Sequence, residues 1–406
     1  MAWMDRRSES NFDIYAQGVS ASGSTKWALD GVGVCTAAQD QANQQLTPDG
    51  TGGAIMVWQD NRNGDYDFPA QDIYAQRVNA SGSVMWTVNG MAICAADSDQ
   101  VFPAIASDGA GGAIITWADK RSGNWDIYAQ RVDASGNAKW AADGVPICTW
   151  ANEQDFVQLI SVEAGGNGLA RGAIITWRDF RSGNWDIYAQ RVDASGNLKW
   201  TTDGVPVCAA GWHQRDPRIT SDGLGGAIIT WQDTRTSIAP DVYAQRVGAD
   251  GSMLWAANGV ALCTEGSSQY TPRLASVGYG GAIVAWADDR NGSRDIYAKY
   301  ITLNGSTDVP YTPFSVTGLS QNVPNPFNPL TRITFSVRAS GDVKLRIYDV
   351  AGRALRTLVD GWRGPGEYTE VWDGRQDDGT ALASGVYFYR LDAGGLTATR
   401  KMVLLK

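Results

Sequence analysis

Apolar residues in the first three quarters of the chain recur in short clusters at a long and regular spacing. Each cluster ends in the phrase Trp-x-Asp-x-Arg, followed by a short turn and a second apolar cluster, Asp-Ile-Tyr or a near copy. The phrase begins at Trp3, Trp58, Trp117, Trp177, Trp231 and Trp286. Successive copies are 55, 59, 60, 54 and 55 residues apart. A repeat of this length, rich in strand-forming residues, is typical of a radial array of small β-sheets.

One repeat reads as four strands, predicted at 103–107, 113–117, 126–132 and 139–148. The turn at 108–112 contains three glycines, which a tight reversal needs. The second strand, Ala-Ile-Ile-Thr-Trp, is apolar on both faces, so both faces should be covered. A propeller blade between two other blades meets this condition, and so does a stacked β-solenoid, which is the alternative. The repeat length favours the propeller, because a four-stranded blade uses about 40–50 residues.

The number of strand copies predicts the size of the array. The third strand occurs six times, the fourth strand five times, and the first repeat lacks its first strand and most of its second. We therefore predict an all-β protein with a β-propeller of about six four-stranded blades, the first incomplete, over residues 1–302. Five complete blades with frayed ends is the alternative.

Charge and apolar content limit the possible partners and location. Net charge is −9, and up to Phe314 there are 22 basic against 34 acidic residues. An acidic surface argues against nucleic acid as a partner. No run of 18 apolar residues exists, so no membrane span is expected. The N-terminus has no signal-peptide core and opens in the middle of a repeat, so we expect that a natural N-terminus with its signal peptide has been lost.

The most regular polar residues of the repeat point to structural roles. Five cysteines occur at the same point of successive repeats, so they should lie far apart as free, buried thiols. The Asp and Arg of Trp-x-Asp-x-Arg recur in every copy, whereas a catalytic group is needed once. We expect Asp119 to accept loop N–H groups and Arg121 to pair with Asp126 or a carbonyl. A Ca²⁺ ion held between Asp119 and Asp126 is the alternative, although the segment does not match a calcium-loop pattern.

Loop residues on one face of the predicted propeller are the candidate ligand-binding residues. A glutamine follows each cysteine by six residues, just before the innermost strand: Gln41, Gln100, Gln154, Gln214 and Gln269. Aromatic residues that vary between repeats should emerge on the same face: Trp125, Trp185, Trp150, Phe156, Trp212 and Tyr270. Aromatic rings beside amide and guanidinium groups can hold sugars or peptides. The alternative is that the glutamines satisfy backbone groups and the aromatic rings fill gaps between loops.

No catalytic motif stands out, so we predict a protein that is not an enzyme. Gly-x-Ser-x-Gly, His-Glu-x-x-His and phosphate-loop patterns are all missing from the sequence, and the single histidine, His213, lies in a loop. The first hypothesis is a secreted or surface propeller that binds glycan or protein. A self-assembling structural surface protein is the second, and a secreted polysaccharide-degrading enzyme is the third.

The pattern changes after a predicted linker at 303–318. Residues 331–337, 343–348 and 386–391 alternate apolar and polar, which indicates half-buried antiparallel strands. About seven such strands in residues 319–406 predict a small immunoglobulin-like β-sandwich.

Several motifs of this C-terminal part occur in the order of a known family. They include Gln-Asn-Val-Pro-Asn-Pro-Phe-Asn-Pro at 321–329, Trp-Asp-Gly at 372–374, Ser-Gly-Val-Tyr-Phe-Tyr-Arg at 384–390 and Lys-Met-Val-Leu-Leu-Lys at 401–406. The stretch resembles the C-terminal sorting domain of type IX (Por) secretion cargo, whose immunoglobulin-like form is also seen in flagellar hook-capping proteins. The resemblance implies recognition by a translocon of the bacterial outer membrane, followed by surface anchoring or release. The repeats resemble uncharacterised bacterial β-propellers, which implies no function.

Overall fold

A computed structural model of the protein describes residues 1–64, 70–162, 172–277, 281–306, 318–337, 341–364 and 366–405. The chain forms two compact units, Met1–Asp308 and Val309–Lys406. Their boundary falls in the predicted linker 303–318, most of which lies outside the described residues. Across the described ranges no helix is long and apolar enough to cross a membrane.

The described residues of the first unit form six antiparallel sheets whose strands are neighbours in chain order. The first and second sheets are formed by β1 Ala2–Asp5, β2 Asp13–Ala16 and β3 Val32–Cys35, and by β4 Gln41–Pro48, β5 Ala54–Asp60, β6 Asp72–Val78 and β7 Met91–Cys94. The third and fourth sheets are formed by β8 Gln100–Ser107, β9 Ala113–Asp119, β10 Asp126–Val132 and β11 Val145–Cys148, and by β12 Gln154–Val162, β13 Gly172–Asp179, β14 Asp186–Asp193 and β15 Val205–Cys208. The fifth and sixth sheets are formed by β16 Gln214–Ser221, β17 Ala227–Asp233, β18 Asp241–Val247 and β19 Val260–Cys263, and by β20 Gln269–Ser276, β21 Gly281–Asp288 and β22 Asp295–Thr302.

Consecutive sheets pack face to face, which explains why their strands are apolar on both sides. Ile114 and Ile127 of the third sheet share one core with Ile175 and Trp177 of the fourth, and all four are at most 1% exposed. The first strands of the sheets, β4, β8, β12, β16 and β20, contact one another in succession and are the innermost strands. The fold is therefore the predicted all-β propeller arrangement of six sheets, with four strands in each of the second to fifth sheets and an incomplete first sheet.

The fourth strand of the third sheet is shorter than predicted. The sequence indicated a strand over 139–148, whereas β11 covers only Val145–Cys148. Trp140 lies in the connection before it and turns towards the next sheet, where its indole Nε1 donates to Ala194 O at 3.0 Å. Trp140 is therefore apolar because it packs against the next sheet, and not because it belongs to a strand.

In the described part of the second unit, seven strands form a two-sheet sandwich. One sheet holds β23 Gly318–Leu319, β24 Thr331–Val337 and β27 Gly366–Trp372, and the other holds β25 Gly341–Tyr348, β26 Ala354–Arg363, β28 Gly385–Ala393 and β29 Leu396–Leu404. The three strands predicted by alternation coincide with β24, β25 and β28. Phe335, Trp372 and Tyr389 are at most 1% exposed and form the centre of the core between the sheets. This arrangement is the predicted immunoglobulin-like sandwich.

Candidate functional site

The repeated Trp-x-Asp-x-Arg phrase forms a junction between neighbouring sheets, which we call the Trp-Asp-Arg clamp. In the fourth sheet the indole of the buried Trp177 donates to Asp179 at 2.9 Å. The Arg181 guanidinium donates to Asp179 at 2.6 Å, to the Sγ of Cys148 in the preceding sheet at 3.2 Å, and to Asp203 O at 2.8 Å. The same contacts recur in the other complete sheets, so this phrase has a structural role.

The carboxylates considered for Ca²⁺ are committed to other partners. Asp119 accepts hydrogen bonds from the Trp117 indole and from the backbone amide and guanidinium of Arg121, so it binds a loop N–H group as expected. Of the two partners expected for Arg121, the structure has the carbonyl, Asp143 O at 2.9 Å, and not Asp126. Asp126 accepts the hydroxyl of Ser122 at 2.6 Å, and burial raises its pKa. Within the described ranges no group of three or more His, Cys, Asp or Glu side chains is placed to hold a metal ion.

The five cysteines are buried and free, as the repeat spacing predicted. Burial raises the pKa of Cys35, Cys94 and Cys208 to about 12, so these thiols remain protonated at neutral pH. They behave as small apolar groups and as weak acceptors for the arginine of the clamp.

The repeated glutamines do not face a ligand, contrary to the expectation from the sequence. Gln41, Gln100, Gln154, Gln214 and Gln269 are each 0% exposed. The Gln100 amide, for example, donates to Ala96 O at 3.2 Å and to Ser98 O at 3.0 Å, within its own connecting loop. The glutamines therefore hold the loops between sheets from inside, which is the structural alternative.

The six predicted aromatic residues are spread over the array and do not form one group. Trp150 and Trp212 are 48% and 61% exposed, whereas Trp125, Trp185 and Tyr270 are partly buried. Lys120 is 5.3 Å from the Trp125 ring, Arg181 is 5.0 Å from Trp150, and Arg294 is 5.0 Å from Tyr270. Trp185 and Phe156 join a larger cluster around Arg178.

That cluster, which we call the aromatic–arginine cluster, spans the third and fourth sheets and consists of Phe102, Phe156, Asp155, Arg178 and Trp185. The Phe102 and Phe156 rings stack with centroids 5.9 Å apart and planes inclined by 29°. The Arg178 guanidinium lies over Phe156 at 4.0 Å and over Trp185 at 4.2 Å. Its Nη2 donates to Asp155 at 2.8 Å, and its Nε donates to the same carboxylate. The guanidinium is thus fixed between two rings and one carboxylate.

A bulge in each innermost strand positions the two phenylalanines. Phe102 and Phe156 are the third residues of β8 and β12, where pairing with the next strand shifts register. Their φ angles are +53° and +51°, in the left-handed region that residues other than glycine seldom adopt. The Phe102 amide donates to Gln59 Oε1 of the preceding sheet at 3.0 Å. Bulges redirect side chains away from the regular pleat, and here Phe102 is left 47% exposed.

The loop beneath Trp185 is held by a residue that differs between repeats. The Trp185 amide donates to His213 Nδ1 at 3.1 Å, whereas the Trp125 amide donates to Glu153 Oε2 at 3.2 Å. Partial burial lowers the pKa of His213, so the neutral imidazole is its main form at neutral pH. His213 therefore has a supporting role, in line with its interpretation as a loop residue.

Sequence reasoning missed Phe102, Asp155 and Arg178 as site residues. Each occupies a position that varies while its neighbours repeat, and this variation is the sequence pattern that could have identified them. The middle residue of Trp-x-Asp is Met4, Gln59, Ala118, Arg178, Gln232 or Ala287. The third residue of the innermost strand is Asn43, Phe102, Phe156, Asp216 or Thr271.

The arrangement offers a flat apolar surface beside fixed polar groups. The exposed part of Phe102 can stack on the C–H face of a sugar ring, and the Asp155–Arg178 pair can exchange hydrogen bonds with hydroxyl groups. Glycoside cleavage needs two carboxyl groups on opposite sides of the bond. In this cluster one carboxylate is present, and it is bound to an arginine.

Part of the second unit is similar to a known protein family. Residues 330–395 match the family model of the FlgD Ig-like domain. No curated protein matches the chain.

Among solved structures, a protein of unknown function from Dyadobacter fermentans aligns over 82% of this chain and 94% of its own, with 8% identity and a TM-score of 0.41. An endo-arabinase from Bacteroides thetaiotaomicron aligns over 64% and 94%, with 12% identity and a TM-score of 0.35. A levansucrase mutant from B. megaterium aligns over 72% and 86%, with 11% identity and a TM-score of 0.34. Likenesses at this level say nothing about what this chain binds or catalyses.

Proposed function

We propose that the sheet array is a non-enzymatic glycan-binding module, secreted or held at the outer surface of a bacterium. The observation that supports this proposal is the aromatic–arginine cluster, in which the half-exposed Phe102 stacks on Phe156 beneath the ion-paired Arg178. Stacking of a sugar on an aromatic ring leaves the hydroxyl groups free to reach the neighbouring pair of charges. Binding surfaces of this kind occur on loops and strand ends of a rigid scaffold, as here.

A glycan array followed by titration calorimetry tests the proposal. We expect Phe102→Ala to weaken binding of the selected glycan about tenfold, which corresponds to about 1.4 kcal/mol. Phe12→Ala is the matched control, because Phe12 is also an exposed phenylalanine beside an arginine, 37% exposed with Arg6 at 5.4 Å, but lies in the connection between β1 and β2. Binding that is equally affected by both substitutions, or by neither, would contradict the assignment. A soluble protein ligand in place of a glycan would also contradict it.

We propose in addition that the second unit is an export signal read by a type IX translocon. Its immunoglobulin-like fold and the motifs between 321 and 406 support this role. The full chain behind a signal peptide should reach the cell surface in a bacterium with type IX secretion and stay in the periplasm of a translocon-deficient strain. Protease accessibility on whole cells measures the difference. Equal accessibility in both strains would argue against this role.

A further inference from the structure

The bulges of five innermost strands place one side chain each at the same level of the array. Each bulge follows the second residue of its strand, where pairing with the next strand shifts register. We call the residues at the third position of these strands the bulge row: Asn43, Phe102, Phe156, Asp216 and Thr271. Their φ angles lie between +46° and +53°. The innermost strands contact one another in succession, so neighbouring members of the row lie on neighbouring strands.

The backbone at these positions does not require a side chain. A left-handed φ is strained for a residue with a Cβ and free of strain for glycine. The strain is largest for bulky residues and for those branched at Cβ, such as the two phenylalanines and Thr271. None of the five positions holds a glycine. Strained residues of this kind are concentrated at binding and active sites, which directs attention to what these side chains present.

The side-chain amide of Asn43 is held in one orientation beside Phe102. The Phe102 backbone N–H donates to Gln59 Oε1 at 3.0 Å, and since a backbone N–H can only donate, this contact identifies the oxygen of the Gln59 amide. Asn43 therefore donates to the same oxygen with its Nδ2. Its Oδ1 has no hydrogen-bond donor among the described residues, and the side chain is exposed. A free acceptor is thus presented next to the exposed ring of Phe102.

Asp216 presents a second acceptor on the other side of the two rings. The Gln232 amide donates to Asp216 Oδ2 from the neighbouring strand β17. Within the described ranges Asp216 Oδ1 accepts no hydrogen bond, and the side chain is partly exposed. Asp216 lies on β16, which contacts the strand of Phe156, β12. From the second sheet to the fifth, the row therefore offers an acceptor, two stacked rings and an acceptor.

Thr271 has the same bulge without this support. The residue that fixes Asn43 or Asp216 is the middle residue of Trp-x-Asp in its own sheet, Gln59 or Gln232. The sixth sheet has Ala287 at that position, and its methyl group forms no hydrogen bond. Thr271 therefore shares the strained backbone of the row but is not fixed in the same way.

We propose that Asn43, Phe102, Phe156 and Asp216 bind an oligosaccharide of at least three units, which lies across the second to fifth sheets. The central sugar stacks on Phe102, and the sugars on either side donate hydroxyl groups to Asn43 Oδ1 and to Asp216. A hydroxyl group can always act as a donor, so it complements both free acceptors. This inference rests on the proposed glycan binding and adds the length of the ligand and two residues that select it.

Titration calorimetry with oligosaccharides of increasing length tests the predicted length. The probes are unbranched gluco-, xylo-, manno- and arabino-oligosaccharides of one to five units, added to the full-length protein. In the series that binds, we expect affinity to rise at least about tenfold from one unit to three, because two further hydrogen bonds form. Affinity should then change little between four and five units.

Glycine substitutions separate binding from folding. Asn43→Gly and Asp216→Gly remove an acceptor and keep the left-handed backbone without strain, so the melting temperature should change little. Each substitution should weaken binding of the three-unit probe about fivefold, the effect of one lost hydrogen bond, and should change binding of the single unit less than twofold. Thr271→Gly is the matched control, because it relieves the same strain outside the proposed site. It should leave the affinity for both probes unchanged.

Failure of this inference can be distinguished from failure of glycan binding. If Phe102→Ala weakens binding but one unit binds as tightly as three, the ligand does not cross the bulge row. The same conclusion follows if neither glycine substitution weakens the three-unit complex. An equal loss in Thr271→Gly would show that the effect comes from the bulge backbone. If none of these probes binds, this inference is wrong, and the glycan array then decides the proposed function separately.

Discussion

Replacing Asp179 by alanine tests whether the Trp-Asp-Arg clamp holds neighbouring sheets together. The Asp179 side chain is 0% exposed and accepts the Trp177 indole at 2.9 Å. It also accepts the amide, Nε and Nη2 of Arg181 at 3.0, 2.8 and 2.6 Å. Alanine at this position leaves a guanidinium that is only 12% exposed without its carboxylate. It also leaves a buried indole N–H without an acceptor.

The size of the expected loss of stability follows from the burial of the Asp179–Arg181 ion pair. Breaking a buried ion pair by removing one partner costs about 3–5 kcal/mol. An unsatisfied buried N–H costs about 1–3 kcal/mol on its own, but water entering the space left by the carboxylate would relieve part of both. We therefore expect a loss of about 4 kcal/mol in the free energy of unfolding, a large part of the roughly 5–15 kcal/mol typical of a domain.

Urea denaturation followed by tryptophan fluorescence and circular dichroism measures the loss. Asp5→Ala is the control, because the same motif occurs in the first sheet with Asp5 15% and Arg7 39% exposed. Solvent screens the Asp5–Arg7 pair, so Asp5→Ala should lower the free energy of unfolding much less than Asp179→Ala. Arg181→Met added to Asp179→Ala should restore part of the stability, since no unpaired charge then remains. A loss at Asp179 no larger than at Asp5 would refute the role of the clamp.

Three further predictions concern the scaffold. Gly204→Ala should lower the free energy of unfolding by at least about 2 kcal/mol in the same urea titration, because its Cβ would lie 2.6 Å from the Trp177 ring. Gly183→Ala is the control: Gly183 has a similar φ but nothing within 4 Å of an added Cβ, so the loss should be about 1 kcal/mol. Burial raises the pKa of Asp186 to about 6, so the folded state retains a proton that the unfolded state releases above about pH 4, and stability should fall as pH rises through this window. Asp186→Asn should therefore raise the melting temperature at pH 7.5 but not at pH 4, and a gain independent of pH would contradict this. Iodoacetamide at pH 8 should leave the cysteines of the folded protein unlabelled and modify all five in urea, as mass spectrometry would show, whereas rapid labelling of the folded protein would contradict their burial.

The repeated features of the fold could be predicted because the same requirement appears in each copy. The six tryptophans and the apolar second strands follow directly from packing between sheets, and the free cysteines follow from their even spacing. The extent of the fourth strand was wrong because Trp140 sits in an alternating stretch that looks like a strand. Its indole is directed by a carbonyl of the next sheet, a tertiary contact that the local pattern does not encode.

The candidate site was predicted less well, for two physical reasons. The glutamines recur near the expected binding face, but their amides bond to loop carbonyls inside the protein, and recurrence alone does not distinguish a surface from a core position. Phe102 and Phe156 were not combined into a platform because their direction depends on a bulge with positive φ. Bulges of this kind usually contain glycine, and here no glycine indicates one.

Positions that repeat in every sheet and positions that vary between sheets have different roles in this array. The recurring Asp, Arg and Cys use their polar groups mainly on one another and on nearby backbone, and the recurring Gln side chains are fully buried, so little remains for a ligand. The varied positions are not required for these repeated contacts. They lie close together around the innermost strands, where Phe102 is half exposed and Arg178 is fixed over two rings. Binding should therefore concentrate where the repeat changes.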